Sequence, residues 1–370
     1  MISSQLRDIG SPGAYRATPH RIFRRDTAVE RLEAVAALRD SLNRPGLTLV
    51  AGYSFKTNPR AEMLAAARHQ GYHAEVISPD ELRWAGESGF SRERTIYNGP
   101  YPLRDLGGGA PIDIVFADSV EAFERNARRR IARLQGVRMR PSMIPSRFGV
   151  PLEDDAALAV VAGSLEPPAP LAVSFHARRG DFRGASWRDV ADDVIQRAVR
   201  VQARSGRSIA AFDVGGGWTP AEFDADFVAD MTWLLDRVVP AFPRCTHVMF
   251  EPGQAVCTPA EALITEVLEV RRRHGRREVV VDAGYPDWPQ MHQYVHGLYA
   301  WRDGDWQRMG AGPDRILGRT CLEYDAIEGL RLPHGLQERE RILITDTGSY
   351  DHSMSYDFAR GAGAQRPPTD

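Results

Sequence analysis

What this chain lacks narrows the field before any motif is considered. Lysine is nearly absent: the 370 residues hold 47 lysines and arginines, and Lys56 is the single lysine among them. Arginine stands wherever a plain positive charge suffices. A guanidinium stays protonated in a protein and does not serve as a nucleophilic amine. The one remaining primary amine therefore marks a place where an amine is chemically required, as in condensation with a carbonyl compound. The competing reading, a lysine left by chance on a solvated surface, has to be weighed against its neighbours.

Cysteine is scarce as well. Cys245, Cys257 and Cys321 are odd in number and far apart, which argues against a disulfide scaffold or a closely spaced metal site and fits a reducing cytoplasm. No metal is expected. No apolar run reaches the roughly 18–20 residues of a membrane helix, and the N-terminus lacks a basic-then-apolar leader pattern. A net charge of −2 gives no general attraction to nucleic acid or anionic membrane. Even the basic run Arg271-Arg272-Arg273-His274-Gly275-Arg276-Arg277 lies between two apolar stretches and reads as a solvated hairpin turn. Small-molecule chemistry remains.

What is present has a rhythm. Short apolar runs at 47–53, 73–77, 95–97, 112–116, 137–139, 171–175, 209–214 and 247–250 predict strands, with amphipathic helical stretches at 58–69, 80–86, 119–134, 189–203 and 221–235 between most of them. Strands alternating with helices make parallel βαβ units, and eight such units make a (β/α)₈ barrel. The unit after the fifth strand, 149–170, is the weakest, with room for a short helix only. Beyond Glu251 the pattern turns to alternating β-branched segments at 262–271, 278–283, 315–321 and 341–345, which predicts an antiparallel β domain. The expected organisation is a barrel over 26–253, a C-terminal β domain over 254–361 with 1–25 packed on it, and a flexible tail over 362–370.

In a barrel, functional groups collect where strands end at the C-terminal face. Lys56 ends the first strand, in Tyr53-Ser54-Phe55-Lys56-Thr57-Asn58-Pro59, and His176 ends the sixth. The seventh ends in Asp213-Val214-Gly215-Gly216-Gly217 and the eighth in Glu251-Pro252-Gly253-Gln254. Consecutive glycines can turn backbone N–H groups toward a phosphate. An amine, a phosphate cradle and a carboxylate able to hold a protonated pyridine nitrogen, all at one rim, describe a pyridoxal 5'-phosphate site.

On these motifs the chain resembles the fold-type III pyridoxal phosphate-dependent decarboxylases, the group of ornithine, diaminopimelate and carboxynorspermidine decarboxylases. Tyr53 to Pro59, Ile77-Ser78-Pro79-Asp80-Glu81-Leu82, Ser146-Arg147-Phe148-Gly149, the glycine triplet, Glu251-Pro252-Gly253, Val281-Asp282-Ala283-Gly284 and Gly318 with Cys321 are similar to the family's motifs and follow in its order. The resemblance implies that Lys56 holds the cofactor as a Schiff base and His176 stacks on its ring. It implies that Gly215, Gly216 and Gly217, with the Tyr350 hydroxyl, bind the phosphate, and that Glu251 keeps the ring nitrogen protonated. Cys321, from the other subunit of a homodimer with shared active sites, would protonate the carbanion after carbon dioxide leaves.

Two departures from the family pattern bear on specificity. Gln254 stands where many relatives have an arginine, and Arg179 where many have a phosphate-binding serine; Arg179 is expected to take over part of the anion binding. Leu322 follows Cys321 where diamine-forming relatives carry an acidic residue that reads the substrate's distal ammonium. The altered set of Leu322, Glu323, Tyr285 and Gln254 predicts a different substrate, a modified or carrier-tethered amino acid of specialised metabolism. A racemase or epimerase is the rival reading, since Tyr285 superficially resembles the tyrosine base of alanine racemases, although Glu251 implies the opposite electronics at the ring nitrogen. A cofactor-binding homologue without turnover is the third.

Overall fold

The computed structural model describes residue 6 and residues 8–103, 110–178 and 184–359. The chain divides into two compact units, Arg31–Val256 and the pair of segments Met1–Glu30 and Cys257–Asp370. Strand β1 (His20–Phe23) and helix α1 (Arg25–Ser41) precede the barrel strands in the chain.

The first unit is a closed barrel of eight parallel strands. In chain order these are β2 (Thr48–Ser54), β3 (His73–Val76), β4 (Thr95–Tyr97), β5 (Ile112–Ala117), β6 (Ala132–Arg138), β7 (Leu171–Ser174), β8 (Ile209–Gly216) and β9 (His247–Glu251). Pairing of Thr48 with His247 and of Ala51 with Phe250 closes the ring. Between the strands lie α2 (Ala61–His69), α3 (Pro79–Glu87), α4 (Val120–Arg129), α5 (Asp155–Ser164), α6 (Trp187–Ser205) and α7 (Pro220–Ala241). A buried apolar layer of Val50, Ile96, Ile114, Phe116, Ala172, Ala211 and Met249 fills the interior. Gly136 is part of that packing, because a Cβ there would stand 2.4 Å from the Phe116 ring.

Helix starts are written into the sequence. Ser186 with Asp189, and Thr219 with Glu222 behind Pro220, form capping boxes at α6 and α7. The Ile77 to Leu82 motif is also a helix start. Ser78 accepts the Glu81 N–H, Pro79 opens α3, and the Glu81 carboxylate takes the Ile77 N–H at 2.8 Å. One expectation fails here. The helix predicted over 119–134 ends at Arg129, where Arg130 turns left-handed at φ 51°, and β6 begins at Ala132 rather than 137. The polar side chains of Arg133 and Gln135 hide the strand from an apolarity reading, and pairing with β5 overrides it. The weak unit after β6 carries α5, fastened to α6 by the fully buried Arg197, whose guanidinium makes bonds of 3.0 and 2.6 Å to Asp155.

The second unit is an eight-stranded sheet comprising β1 and β10 (Glu261–Arg273), β11 (Arg276–Val281), β12 (Leu298–Arg302), β13 (Asp305–Arg308), β14 (Gly310–Leu317), β15 (Ala326–Arg331) and β16 (Arg341–Ile344). Its pairings are antiparallel except one: β11 runs parallel to β14, Glu278 beside Arg315, so the sheet is mixed. The basic run turns between β10 and β11 on His274 and Gly275, both at positive φ (50° and 79°), the backbone a two-residue hairpin requires. Arg271 is more than a solvated charge, since it and Arg315 each reach the wholly buried Glu278 at 2.9 Å.

Candidate functional site

The strand ends of the barrel converge on a cavity of about 340 Å³ lined by Lys56, Asn98, Arg138, His176, Arg178 and Glu251 among others. Each side chain is delivered by a specific local device. The Lys56 segment is a buried turn: Tyr53 Oη donates to the Asn58 carbonyl at 2.7 Å, Thr57 N–H closes on Ser54, and Asn58 Oδ1 accepts the Arg60 N–H. The turn is pinned to β3 by Phe55 N–H on the Glu75 carbonyl. This explains why tyrosine and asparagine stand at these spacings around the lysine.

Glu75, fully buried on β3, takes the Lys56 ammonium at 2.5 Å. Glu251 Oε1 accepts from Asn98 Nδ2 at 2.9 Å, and its other oxygen lies 3.9 Å from His176 Nδ1. Burial, with the negative charge of Glu75 added, pushes the Glu251 carboxyl up to about 7. Asp213 on β8 is raised well above its usual range by burial and by Glu251. Burial and the cations Arg138, Lys56 and Arg178 drive His176 down to about 3, so its imidazole is neutral. With Nδ1 unprotonated, His176 accepts the Gly216 N–H at 3.2 Å.

The glycine triplet is dictated by space. A Cβ at Gly215 would stand 2.6 Å from the Phe175 carbonyl, and one at Gly216 2.1 Å from the Glu251 carbonyl. Gly215 and Gly217 both hold positive φ, at 66° and 101°. Phe148, also on the cavity wall, has two guanidiniums over its ring, Arg147 at 4.1 Å and Arg138 at 5.1 Å from its centre. Gly149 after it holds φ 87°, and a Cβ there would stand 2.9 Å from the Arg140 nitrogen.

The barrel thus gathers Lys56, His176, Glu251 and the glycine triplet. Gln254 is buried in the short helix α8 (Gly253–Cys257) that follows β9, and Arg179 lies outside the described residues. Tyr285, Cys321, Leu322, Glu323 and Tyr350 belong to the second unit. There Asp325, itself buried, organises the loop that carries three of them. Its carboxylate accepts Thr320 N–H and Oγ1 at 3.0 and 2.5 Å and the Tyr285 N–H at 2.7 Å. Cβ atoms at Gly318 and Gly284 would fall 2.0 and 2.7 Å from that carboxylate, which is the physical content of those two motif glycines. Cys321 is an exposed free thiol, Glu323 is exposed and Leu322 half-buried. Tyr285 packs edge-on to Tyr324, and Tyr350, at φ 66°, stacks with Tyr294.

Sequence reasoning passed over Glu75, Asn98, Arg138 and Arg178. An acid inside the apolar run 73–77 was the available signal for Glu75. Among the described residues no cluster of three or more metal-ligating side chains forms, and no helix is long and apolar enough to cross a membrane.

The residues present suit pyridoxal phosphate. A lone amine, a basic carboxyl and a neutral imidazole share one cavity, next to glycines whose Cβ positions are forbidden. Comparison with known proteins agrees. The family described as pyridoxal-dependent decarboxylase, pyridoxal binding domain, matches residues 32–258. A lysine/ornithine decarboxylase of Selenomonas ruminantium is 25% identical over 318 residues, which is 80% of this chain and 78% of that protein. Among solved structures, the Paramecium bursaria Chlorella virus arginine decarboxylase bound to agmatine superposes with a TM-score of 0.74 at 16% identity, covering 96% of this chain and 97% of that one. The diaminopimelate decarboxylase of Helicobacter pylori complexed with L-lysine gives 0.75 at 19% identity, covering 94% and 90%.

Proposed function

This chain belongs to the pyridoxal-dependent decarboxylases, a lyase acting on amino acids with pyridoxal phosphate, and from that premise we propose how its own residues divide the work and what it acts on. The observation that carries the reading is the cavity in which Lys56, His176 and Glu251 meet beside Gly215, Gly216 and Gly217.

Bound there, pyridoxal phosphate supplies a ring that accepts the electron pair left when the substrate's carboxylate departs. Lys56 provides the amine that holds the aldehyde carbon, and Glu75 orients that amine. Glu251, at about 7, is basic enough to share a proton with a pyridine nitrogen near neutral pH. Asn98 fixes the orientation of that carboxyl. His176, neutral and anchored by Gly216 N–H, covers a ring face without adding charge. The Gly215–Gly217 turn would bind the phosphate chiefly through the Gly217 N–H, since Asp213 takes the Gly215 N–H at 2.9 Å and His176 the Gly216 N–H. Cys321, from the second subunit of a homodimer, delivers the proton to the carbon that has lost its carboxylate. The exposed thiol of Cys321 supports a role completed by a partner chain.

For the substrate, Leu322 places an apolar side chain where the diamine-forming relatives have an acid, which favours an amino acid whose distal end carries no ammonium. A modified or carrier-tethered amino acid of specialised metabolism fits that description. A cytoplasmic location goes with the odd number and wide spacing of the three cysteines. The test is carbon dioxide release from a panel containing ornithine, lysine, diaminopimelate, arginine and amino acids with neutral or acidic distal arms. Release from the neutral or acidic members, with the basic ones inert, is the expected result. Racemisation without gas release would replace the reading by its racemase rival.

A further inference from the structure

We propose that Arg178 supplies the positive charge that binds the cofactor's phosphate in this chain. The proposal rests on the reading of the cavity as a pyridoxal phosphate site and assigns a residue that the motifs leave without a role. Where relatives read His-x-Gly-Ser, this chain reads His176-Ala177-Arg178-Arg179, so a guanidinium replaces the glycine itself.

The stem of Arg178 lies directly on the phosphate cradle. The position a Cβ would take at Gly217 is 2.9 Å from Arg178 Cγ and 3.0 Å from its Cα, so the two residues pack backbone against stem and Gly217 has to be a glycine. From that footing Arg178 lines the same cavity as Lys56, His176 and Glu251. Its charge is felt inside, since it contributes to holding His176 neutral.

Arg178 is a cavity cation whose stem sits against the glycine triplet itself. Position 254, after Glu251-Pro252-Gly253, offers a neutral, buried glutamine instead of a cation. Backbone N–H groups alone leave a phosphate's double negative charge uncompensated, and a guanidinium can meet two of its oxygens at once. Arg178 is also exposed, so replacing it leaves the barrel's core untouched.

The experiment compares cofactor-free wild-type protein with Arg178→Ala, Arg178→Lys and Arg179→Ala. Binding of pyridoxal phosphate and of pyridoxal, which lacks the phosphate, is followed by tryptophan fluorescence. Expected is an about 10–100-fold weaker affinity of Arg178→Ala for pyridoxal phosphate, an unchanged affinity for pyridoxal, and an intermediate value for Arg178→Lys. Inorganic phosphate should compete in the wild type and much less in Arg178→Ala. Equal losses for both ligands, no loss for either, or a loss confined to Arg179→Ala would each overturn the assignment. So would an unchanged cofactor affinity with a raised KM for an acid-armed substrate, which would make Arg178 a substrate contact. A wild-type protein that binds neither ligand would instead sink the reading of the cavity itself.

Discussion

Lys56 and Glu75 are joined at 2.5 Å, the carboxylate sealed in the barrel and the ammonium at its mouth with 26% of its side chain exposed. The pair places the only lysine's nitrogen by charge as well as by backbone. It also makes Glu75 dependent on that cation, because a buried carboxylate without a partner is costly.

Lys56→Ala therefore has two separable consequences. It removes the visible absorbance of bound cofactor and all turnover, and it lowers the stability of the cofactor-free protein by about 2–4 kcal/mol. Adding Glu75→Gln restores most of that stability and none of the activity. Urea unfolding of the single and double variants checks this; an unaltered midpoint for Lys56→Ala contradicts it.

Glu251 gives the cofactor-free protein a pH dependence of definite sign. Its carboxyl rises from an ordinary 4.5 to about 7 on folding. A raised value means the contribution is fully present below 4.5 and lost as pH climbs through 7. Stability should fall between pH 5 and 8 by on the order of 3 kcal/mol, and Glu251→Gln should flatten that slope. Unfolding midpoints across the range are the measurement, and a wild-type slope matching that of Glu251→Gln would refute the effect.

Gly216→Ala puts a methyl group 2.1 Å from the Glu251 carbonyl. Strands β8 and β9 must part to admit it, at a cost of about 3 kcal/mol or more. The same change displaces the N–H that His176 accepts. Soluble Gly216→Ala with wild-type melting and cofactor affinity would show that the strands yield more easily than their packing implies.

Leu322→Asp restores a negative charge next to Cys321. Catalytic efficiency toward ornithine or lysine should rise about 5–20-fold over the wild type, with no gain on substrates with neutral arms. Initial rates on both classes decide this.

The barrel was legible because most of its strands are short apolar runs and turn chemistry punctuates them. It failed at β6, where Arg133 and Gln135 interrupt the apolar signal and only pairing with β5 makes a strand. The parallel pairing of β11 with β14 was invisible for a different reason: alternation tells which face is buried, not which neighbour runs in which direction. At the site, residues that condense, cradle or protonate announced themselves by type. Glu75 and Asn98 did not, because their work is to orient other side chains, and that appears only when strands distant in sequence are brought side by side.

Asp325 has a consequence for how such a site changes over generations. One buried carboxylate, seated between Gly284 and Gly318, holds the loop's ends through backbone N–H groups. The tip residues Leu322 and Glu323 take no part in those bonds through their side chains. Mutation at the tip is therefore nearly free of structural penalty, while mutation at the frame is not. The chemistry stays fixed and the choice of molecule is left open to drift, so a lineage can try new substrates one substitution at a time without first losing the fold.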